Sequence, residues 1–267
     1  NETAARVAGM QHLPGFDGLP VVGFSIGAEP VVSVSSEWIR LSDSDGEEID
    51  GRPFNRPISY GYPGNIIVNR HGRRCCNESF YPDIGRAFFV YEKVTAELTN
   101  TPLCWIADKT CTSKLGISAM ARFTKSPDWL KKADTLPDLA EKLGLPAGSL
   151  VETAERFNRF SREGYDPDFH RGEGRYQRLW GKKIYPDKEP NPTLGPIETP
   201  PFYGAVLHVG SVGNLGGLVV TRNAEVIDVQ GEVIPGLYGT SNTTALLSHG
   251  FSYTSGACQA KSMIFGY

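Results

Sequence analysis

The chain has 267 residues, enough for one large domain or two small ones. At 40% hydrophobic and 21% charged it has the composition of a folded protein with a sizeable core. Its 30 glycines and 19 prolines exceed the usual share and lead us to expect many ordered turns in place of long regular helices. A net charge of −3 and a pI near 6.0 give no basic field for a phosphate backbone, which argues against nucleic acid, and no apolar run approaches the roughly 18 residues of a membrane span.

The N-terminus, Asn1-Glu2-Thr3-Ala4-Ala5, has no initiating Met, basic segment or apolar segment, and is expected to start partway into a longer fold. Val21–Phe24 and Val31–Val34 read as short strands, and Asp43–Glu48 as an acidic, turn-rich loop. Residues 61–77 read as a strand pair, with Asn65–Asn69 as its first arm and a turn at Arg70–Arg73. The first clear helical face is Leu136, Leu139, Ala140 and Leu143, with Thr135 as N-cap, Pro137 in the first turn and Gly144 as the stop. A second helix is expected from about Ala147 to Phe160, leading into an exposed loop containing Asp166, Asp168 and Gly172. Prolines at 186, 190, 192, 196, 200 and 201 permit only an extended crossover. Beyond it come a strand at Phe202–His208, a meander through Gly216–Val220 and Ala224–Asp228, a turn at Gly231, a strand at Ile234–Gly239 and a helix over Ser255–Tyr267.

Five cysteines, Cys75, Cys76, Cys104, Cys111 and Cys258, contain no CxxC pair, and His12, His71, His170 and His208 have no metal-ligand spacing. Neither a zinc site nor a disulfide framework is indicated. Reduced thiols, buried where adjacent, and a cytoplasmic location are expected. The aromatic set Phe80, Phe88, Phe89, Tyr91, Trp105 and Phe123 suits a domain core first and an apolar cleft second.

The final third is the most specific part of the sequence. In order it carries Pro201-Phe202-Tyr203-Gly204, Gly213-Asn214-Leu215-Gly216-Gly217-Leu218, Pro235 through Asn242 and Phe265-Gly266-Tyr267. Upstream, Asn69–Tyr81 matches a G-R-R-F-x-N-E-x-x-Y loop, with Cys75 in place of Phe. Over residues 60–267 this resembles the C-terminal half of the flavoproteins that include the FAD-dependent 3-ketosteroid dehydrogenases and the soluble fumarate reductases. The resemblance implies a mixed α/β, two-domain FAD flavoprotein architecture. Residues 1–200 would be the substrate domain and residues 201–267 the returning segment of a Rossmann-type FAD domain. GxGxxG, which cradles the pyrophosphate in such folds, does not occur in this sequence. The N-terminal half that bears it is therefore expected on a second chain or a missing stretch, and residues 1–267 are not expected to hold FAD tightly alone.

By the same resemblance, Gly239-Thr240-Ser241-Asn242 meets the ribityl and pyrophosphate region of FAD, although the family usually has Gly at the position of Ser241. Small residues there let the backbone approach a cofactor closely. Ser255, Gly256 and Ala257 open the last helix, whose free N–H groups and dipole suit the flavin edge where negative charge collects. Tyrosines stand at or beside the positions where the fumarate reductase branch carries arginines: Tyr81 after Asn77-Glu78, and Tyr253 after His249-Gly250-Phe251. Phenols in place of guanidiniums suit a neutral, apolar ketone and not a dicarboxylate.

The resemblance implies that Tyr253 and the Gly256 N–H polarise a steroid C3 ketone while Tyr81 removes the adjacent proton, with hydride passing to flavin N5. His249, Phe251 and Tyr253 would line the substrate pocket, although a lone His beside a glycine is more often structural. The order Tyr81-Pro82 leaves the ring bond open. Two alternatives stand: reduction of another enone or enoate in the fumarate reductase manner, and a non-catalytic subunit completing a flavin pocket.

Overall fold

The computed structural model describes residues 30–33, 60–115, 130–211, 218–228, 230–244 and 257–266. The chain divides into two units. One runs from Pro30 to Gly210; the described residues from Ser211 onward belong to the other. The architecture is mixed helix and sheet, as the sequence implied.

The first unit is built on a five-stranded sheet. Its strands are β1 (Pro30–Ser33), β2 (Asn65–Val68), β3 (Leu103–Ala107), β4 (Lys131–Ala133) and β5 (Phe202–Ser211), in the order β1-β5-β3-β2, with β4 also on β5. β2 runs antiparallel to β3 from Asn65 opposite Ala107 to Val68 opposite Cys104, and β3 runs antiparallel to β5. The anticipated pairing within residues 61–77 is therefore wrong beyond one bridge from Val68 to Arg74. The Asn69 carboxamide oxygen accepts the N–H groups of His71 and Arg73, and the chain after that tight turn enters a loop in place of a second arm.

Both faces of the sheet are buried, so successive residues of a strand enter different cores. Ile67, Leu103, Trp105 and Ala205 share one core with Ile84, Ala87 and Phe88 of helix α1 (Tyr81–Phe88). Ile66, Val68, Cys104 and Ile106 share the other with Leu139 and Ala140 of α3 (Leu136–Leu143) and Leu150 and Phe157 of α4 (Ala147–Glu163). Each fully buried Ile or Leu adds roughly 1.5–3 kcal/mol of apolar transfer. Helix α2 (Lys109–Leu115) follows β3 directly.

Helix α3 has the expected caps. The Thr135 hydroxyl accepts the Asp138 N–H at 3.2 Å, and Gly144 closes the helix at φ 68°. Helix α4 runs three residues past the expected end and stops at Gly164, φ 76°. Two findings depart from the sequence reading here. A further helix, α5 (Arg175–Ile184), follows. The stretch before it is also not an exposed loop throughout, because Asp166, Arg171 and Gly172 are buried.

The proline-rich crossover has no regular element, and side chains satisfy its backbone instead. Asn158 donates to the Ile197 carbonyl at 3.1 Å and accepts the Ile197 N–H at 2.7 Å. The Asp108 carboxylate accepts the N–H groups of Glu198 and Thr199. The aromatic set separates: Phe88 and Trp105 are core, Phe123 lies outside the described residues, and Phe80, Phe89 and Tyr91 are exposed, against the expectation of a shared core.

In the second unit β6 (Glu225–Ile227) and β7 (Val233–Tyr238) form an antiparallel pair. The Asp228 carboxylate accepts the N–H groups of Gln230 and Glu232 across the turn, and Gly231 takes φ 91°. Leu218 and Val220 make single bridges, not the full strand expected. A 3-10 turn at Ser241–Thr243 follows β7, and helix α6 spans Ala257–Phe265. Val21–Phe24, Asp43–Glu48 and Gly216–Gly217 lie outside the described residues.

Candidate functional site

Tyr81 is the first residue of α1, entered from an extended Phe80; its side chain is not among those described. The loop that delivers it is held from several directions. Within the loop, the Asn77 carboxamide oxygen accepts the Ser79 N–H at 3.0 Å. The Asp83 carboxylate, in the first turn of α1, accepts the Asn77 N–H at 2.7 Å. Negative charge there also suits the helix dipole. The Asn77 amide donates to the Phe169 carbonyl at 2.9 Å.

Under this loop lies a buried group of two arginines and two carboxylates. Arg74 grips Glu78 through Nε at 2.8 Å and Nη2 at 2.7 Å, and Asp166 through Nη1 at 3.0 Å and Nη2 at 2.8 Å. Its guanidinium also lies over the rings of Phe157 and Phe169, at 4.8 and 4.9 Å. Arg171, wholly buried, donates to Glu78 at 3.3 Å and to the backbone carbonyls of Asn65, Tyr62 and Thr193 at 2.6–2.8 Å. Its Nε has no partner among the described residues.

Two positive and two negative charges balance, the condition under which buried ions are tolerated. Burial by itself would push Glu78 and Asp166 up. Arg74 and Arg171 outweigh it and hold both carboxylates below their usual range. Burial pulls Arg171 down from the usual arginine value, against the opposing pull of Glu78.

Sequence reasoning did not single out this group. Arg74 and Glu78 stand in the quoted loop pattern, whereas Asp166 and Arg171 come from a stretch whose polar composition read as surface. Nothing local marks them, because their partners lie 92 and 93 residues away in the chain. Behind the loop, the adjacent thiols are free: hydrogen bonding to Cys75 and burial push the Cys76 thiol well up, which leaves it inert.

The second candidate region is the turn after β7. Gly239 is buried, and a Cβ there would stand 3.1 Å from Thr244 Cγ2. Ser241 takes φ 60°, the left-handed region, which explains why glycine suits this position. The Thr240 hydroxyl donates to the Lys261 carbonyl at 2.9 Å, and the Lys261 ammonium donates to the Thr244 hydroxyl at 2.8 Å, so α6 is latched to the turn. The N–H groups of Ser241 and Asn242 donate to no acceptor among the described residues. A tight turn whose two N–H groups meet no acceptor among the described residues suits a ribityl or phosphate oxygen, so the residues described fit FAD.

The remaining candidates divide as follows. Ala257 opens α6, with its side chain among the undescribed. His249, Phe251, Tyr253, Ser255 and Gly256 all lie outside the described residues. Tyr81 belongs to the first unit and Gly239–Asn242 to the second.

A family model for the FAD binding domain matches residues 58–258. The chain belongs to that FAD-binding family. Family members similar to it include the 4-oxocyclohexanecarboxylate 2-dehydrogenase of Sinomonas cyclohexanicum, 38% identical over 222 residues, which cover 82% of this chain and 38% of the relative. The 3-oxosteroid 1-dehydrogenase of Mycobacterium tuberculosis strain H37Rv is 34% identical over 228 residues, covering 81% and 40%. Among solved structures, the 3-ketosteroid Δ1-dehydrogenase of Sterolibacterium denitrificans aligns with a TM-score of 0.70 at 26% identity, over 90% of this chain and 42% of that one. The chain thus spans about two-fifths of the length of these relatives. FAD is the cofactor of this family. No helix among the described residues is long and apolar enough to cross a membrane.

Proposed function

We propose that this chain supplies the substrate-facing part of a flavin-dependent dehydrogenase that places a double bond in the A ring of a 3-ketosteroid, next to the ketone. One observation carries the choice of a neutral substrate. Both arginines beneath the Asn77-Glu78 loop are engaged by Glu78 and Asp166. Neither is left to clamp a carboxylate, and the loop ends in a tyrosine. The names of two relatives, a 3-oxosteroid and a 4-oxocyclohexanecarboxylate dehydrogenase, share a ring ketone and support that part of the reading, while the second name adds a carboxylate.

In this reading residues 201–267 return to the FAD domain after a substrate domain in residues 1–200. The GxGxxG region is contributed by further polypeptide or a second chain. The N–H groups of Ser241 and Asn242, with Gly239, Thr240 and the start of the last helix at Ser255, Gly256 and Ala257, hold FAD. When bound, FAD supplies the acceptor for the hydride lost by the substrate. Tyr253 and the Gly256 N–H donate hydrogen bonds to the ketone oxygen and acidify the neighbouring C–H. Tyr81, as phenolate, takes that proton; because a model phenol ionises only near pH 10, the step needs help from a neighbour or an alkaline rate optimum. His249 and Phe251 complete the apolar pocket.

A second reading, a monocyclic oxo acid, is favoured by the 38% identity to the oxocyclohexanecarboxylate enzyme. Stopped-flow spectroscopy of the purified, flavin-loaded protein separates the two. Anaerobic addition of a 3-ketosteroid should bleach the flavin band, and Tyr81→Phe and Tyr253→Phe should each slow bleaching by roughly 10²–10⁴-fold. Bleaching by 4-oxocyclohexanecarboxylate alone selects the second reading. Bleaching by succinate places the protein with the fumarate reductases. Full turnover in both Phe variants assigns the chain a binding role without catalysis.

A further inference from the structure

Gln177 is the third residue of α5. A Gln at that position ordinarily turns back to the N–H that opens its own helix. Here the carboxamide lies over Gly174, where an added Cβ would stand 3.2 Å from Gln177 Nε2, and serves two other segments. Gln177 Oε1 accepts the Gly172 N–H at 2.6 Å. A backbone N–H can only donate, so this contact fixes which amide atom faces the loop. The Ser79 hydroxyl stands 2.8 Å from the same oxygen, and the Asn77 amide 3.4 Å from it.

Ser79 precedes Tyr81 by two residues. Its hydroxyl carries one proton and has two acceptors in reach, Asn77 Oδ1 at 2.7 Å and Gln177 Oε1 at 2.8 Å. Its oxygen also receives the Gly172 N–H at 3.2 Å. Gly172 is itself tightly seated, since its φ is 78° and a Cβ there would stand 2.1 Å from Asn191 Oδ1 and 2.4 Å from Thr193 Oγ1. The buried ions hold the loop at Glu78, and Gln177 holds it one residue nearer the phenol. It does so with a neutral, half-buried group, whose removal leaves no buried charge unpaired.

We propose that Gln177 is a positioning residue for proton abstraction: by tying Ser79 to Gly172 it sets where α1 begins, and so where Tyr81 stands against the substrate. The proposal rests on the reading of Tyr81 as the base. Gln177 acts only through the loop. A misplacement of about 1 Å can cost roughly 100-fold in rate, so the loss of this tie falls on the chemical step and spares substrate binding.

Anaerobic flavin bleaching in the loaded protein, read with whichever ring ketone bleaches it, tests the role. Gln177→Leu should lower the limiting rate about 10–100-fold and leave the half-saturating ketone concentration within about twofold. Gln177→Glu, whose carboxylate accepts from the same two donors, should recover the rate to within about threefold. Ser79→Ala removes the tie from the loop side, leaves α5 untouched and should give the same loss even if Gln177→Leu fails to fold. Hydrogen exchange, which reads no activity, should quicken over residues 77–83 in Gln177→Leu. The deciding comparison is the double variant. Gln177→Leu added to Tyr81→Phe should slow bleaching no further, because the residue acts through that phenol. Losses that multiply in the double variant, or a full rate in Ser79→Ala, overturn the proposal. A slow Tyr81→Phe beside a Gln177→Leu at full rate removes this proposal alone, whereas Tyr81→Phe at full rate removes the base and its positioning residue together.

Discussion

Glu78 is wholly buried between two cations, Arg74 and Arg171. Replacing it by Gln leaves Arg171 and half of Arg74 without a charged acceptor in a buried site. Breaking a buried pair from one side typically costs about 3–5 kcal/mol, and Glu78→Gln should lower the denaturant midpoint correspondingly, while Arg156→Gln, on the exposed pair with Asp168, should leave it nearly unchanged. Ser241 presents the opposite case. Its φ of 60° costs an L-residue about 1 kcal/mol, part of which glycine would give back as chain entropy. Ser241→Gly should therefore raise the thermal midpoint by about 1–3 °C, and Ser241→Val should lower it. The two sites differ in legibility for a physical reason. Ser241 was visible as a departure from a local pattern, and its backbone angle gives that pattern its cause. The Arg74–Glu78–Asp166–Arg171 group is an agreement between segments some 90 residues apart, and no window of sequence contains it.

At the scale of elements, the clearest sequence signals were those a helix writes into its own ends. Thr135 and Gly144 bracket α3 because a hydroxyl acceptor and a left-handed residue satisfy orphan backbone groups whatever the helix packs against. Thr135→Ala should cost about 1 kcal/mol in chemical denaturation, with the loss confined to the cap. Helices α1 and α5 escaped notice because each lacks that signature. α1 begins at an extended Phe80 whose side chain makes no cap, and α5 begins at Gly174 and carries Gly181 in its interior. They hold as helices through what they pack on: Ile84, Ala87 and Phe88 enter the sheet core, and Gly181 admits the crossover prolines. The pairing of β2 was misread for a related reason. A turn at Arg70–Arg73 suggests a hairpin, but the ladder goes to β3, whose residues bury more apolar surface against it.

Across the whole molecule the buried carboxylates give stability a defined pH dependence. Glu78 and Asp166 sit below their unfolded values of about 4.3 and 3.9. Their contribution is complete above those values and is lost as pH falls through the lower, folded ones, because the unfolded chain then takes up protons first. Urea midpoints should be level from about pH 7 to pH 5 and fall steeply below about pH 4, with a shallower acid limb in Asp166→Asn. The candidate residues are also distributed at this scale, with Tyr81 in one unit and Gly239–Asn242 in the other.

The sequence by itself determined the family, the order of its motifs, the caps of α3 and the phenol at position 81. These are properties of residue type and short spacing, and they survive without knowledge of neighbours. Only the tertiary structure decided that Asp166 and Arg171 are interior, that β2 pairs with β3, and that the aromatic residues around Phe88 divide between core and surface. Burial and charge pairing depend on which segments meet, and desolvation makes an isolated ion costly where a paired one is stable. The same holds for α5, whose packed side is identified only by the contacts of Gln177 and Gly181.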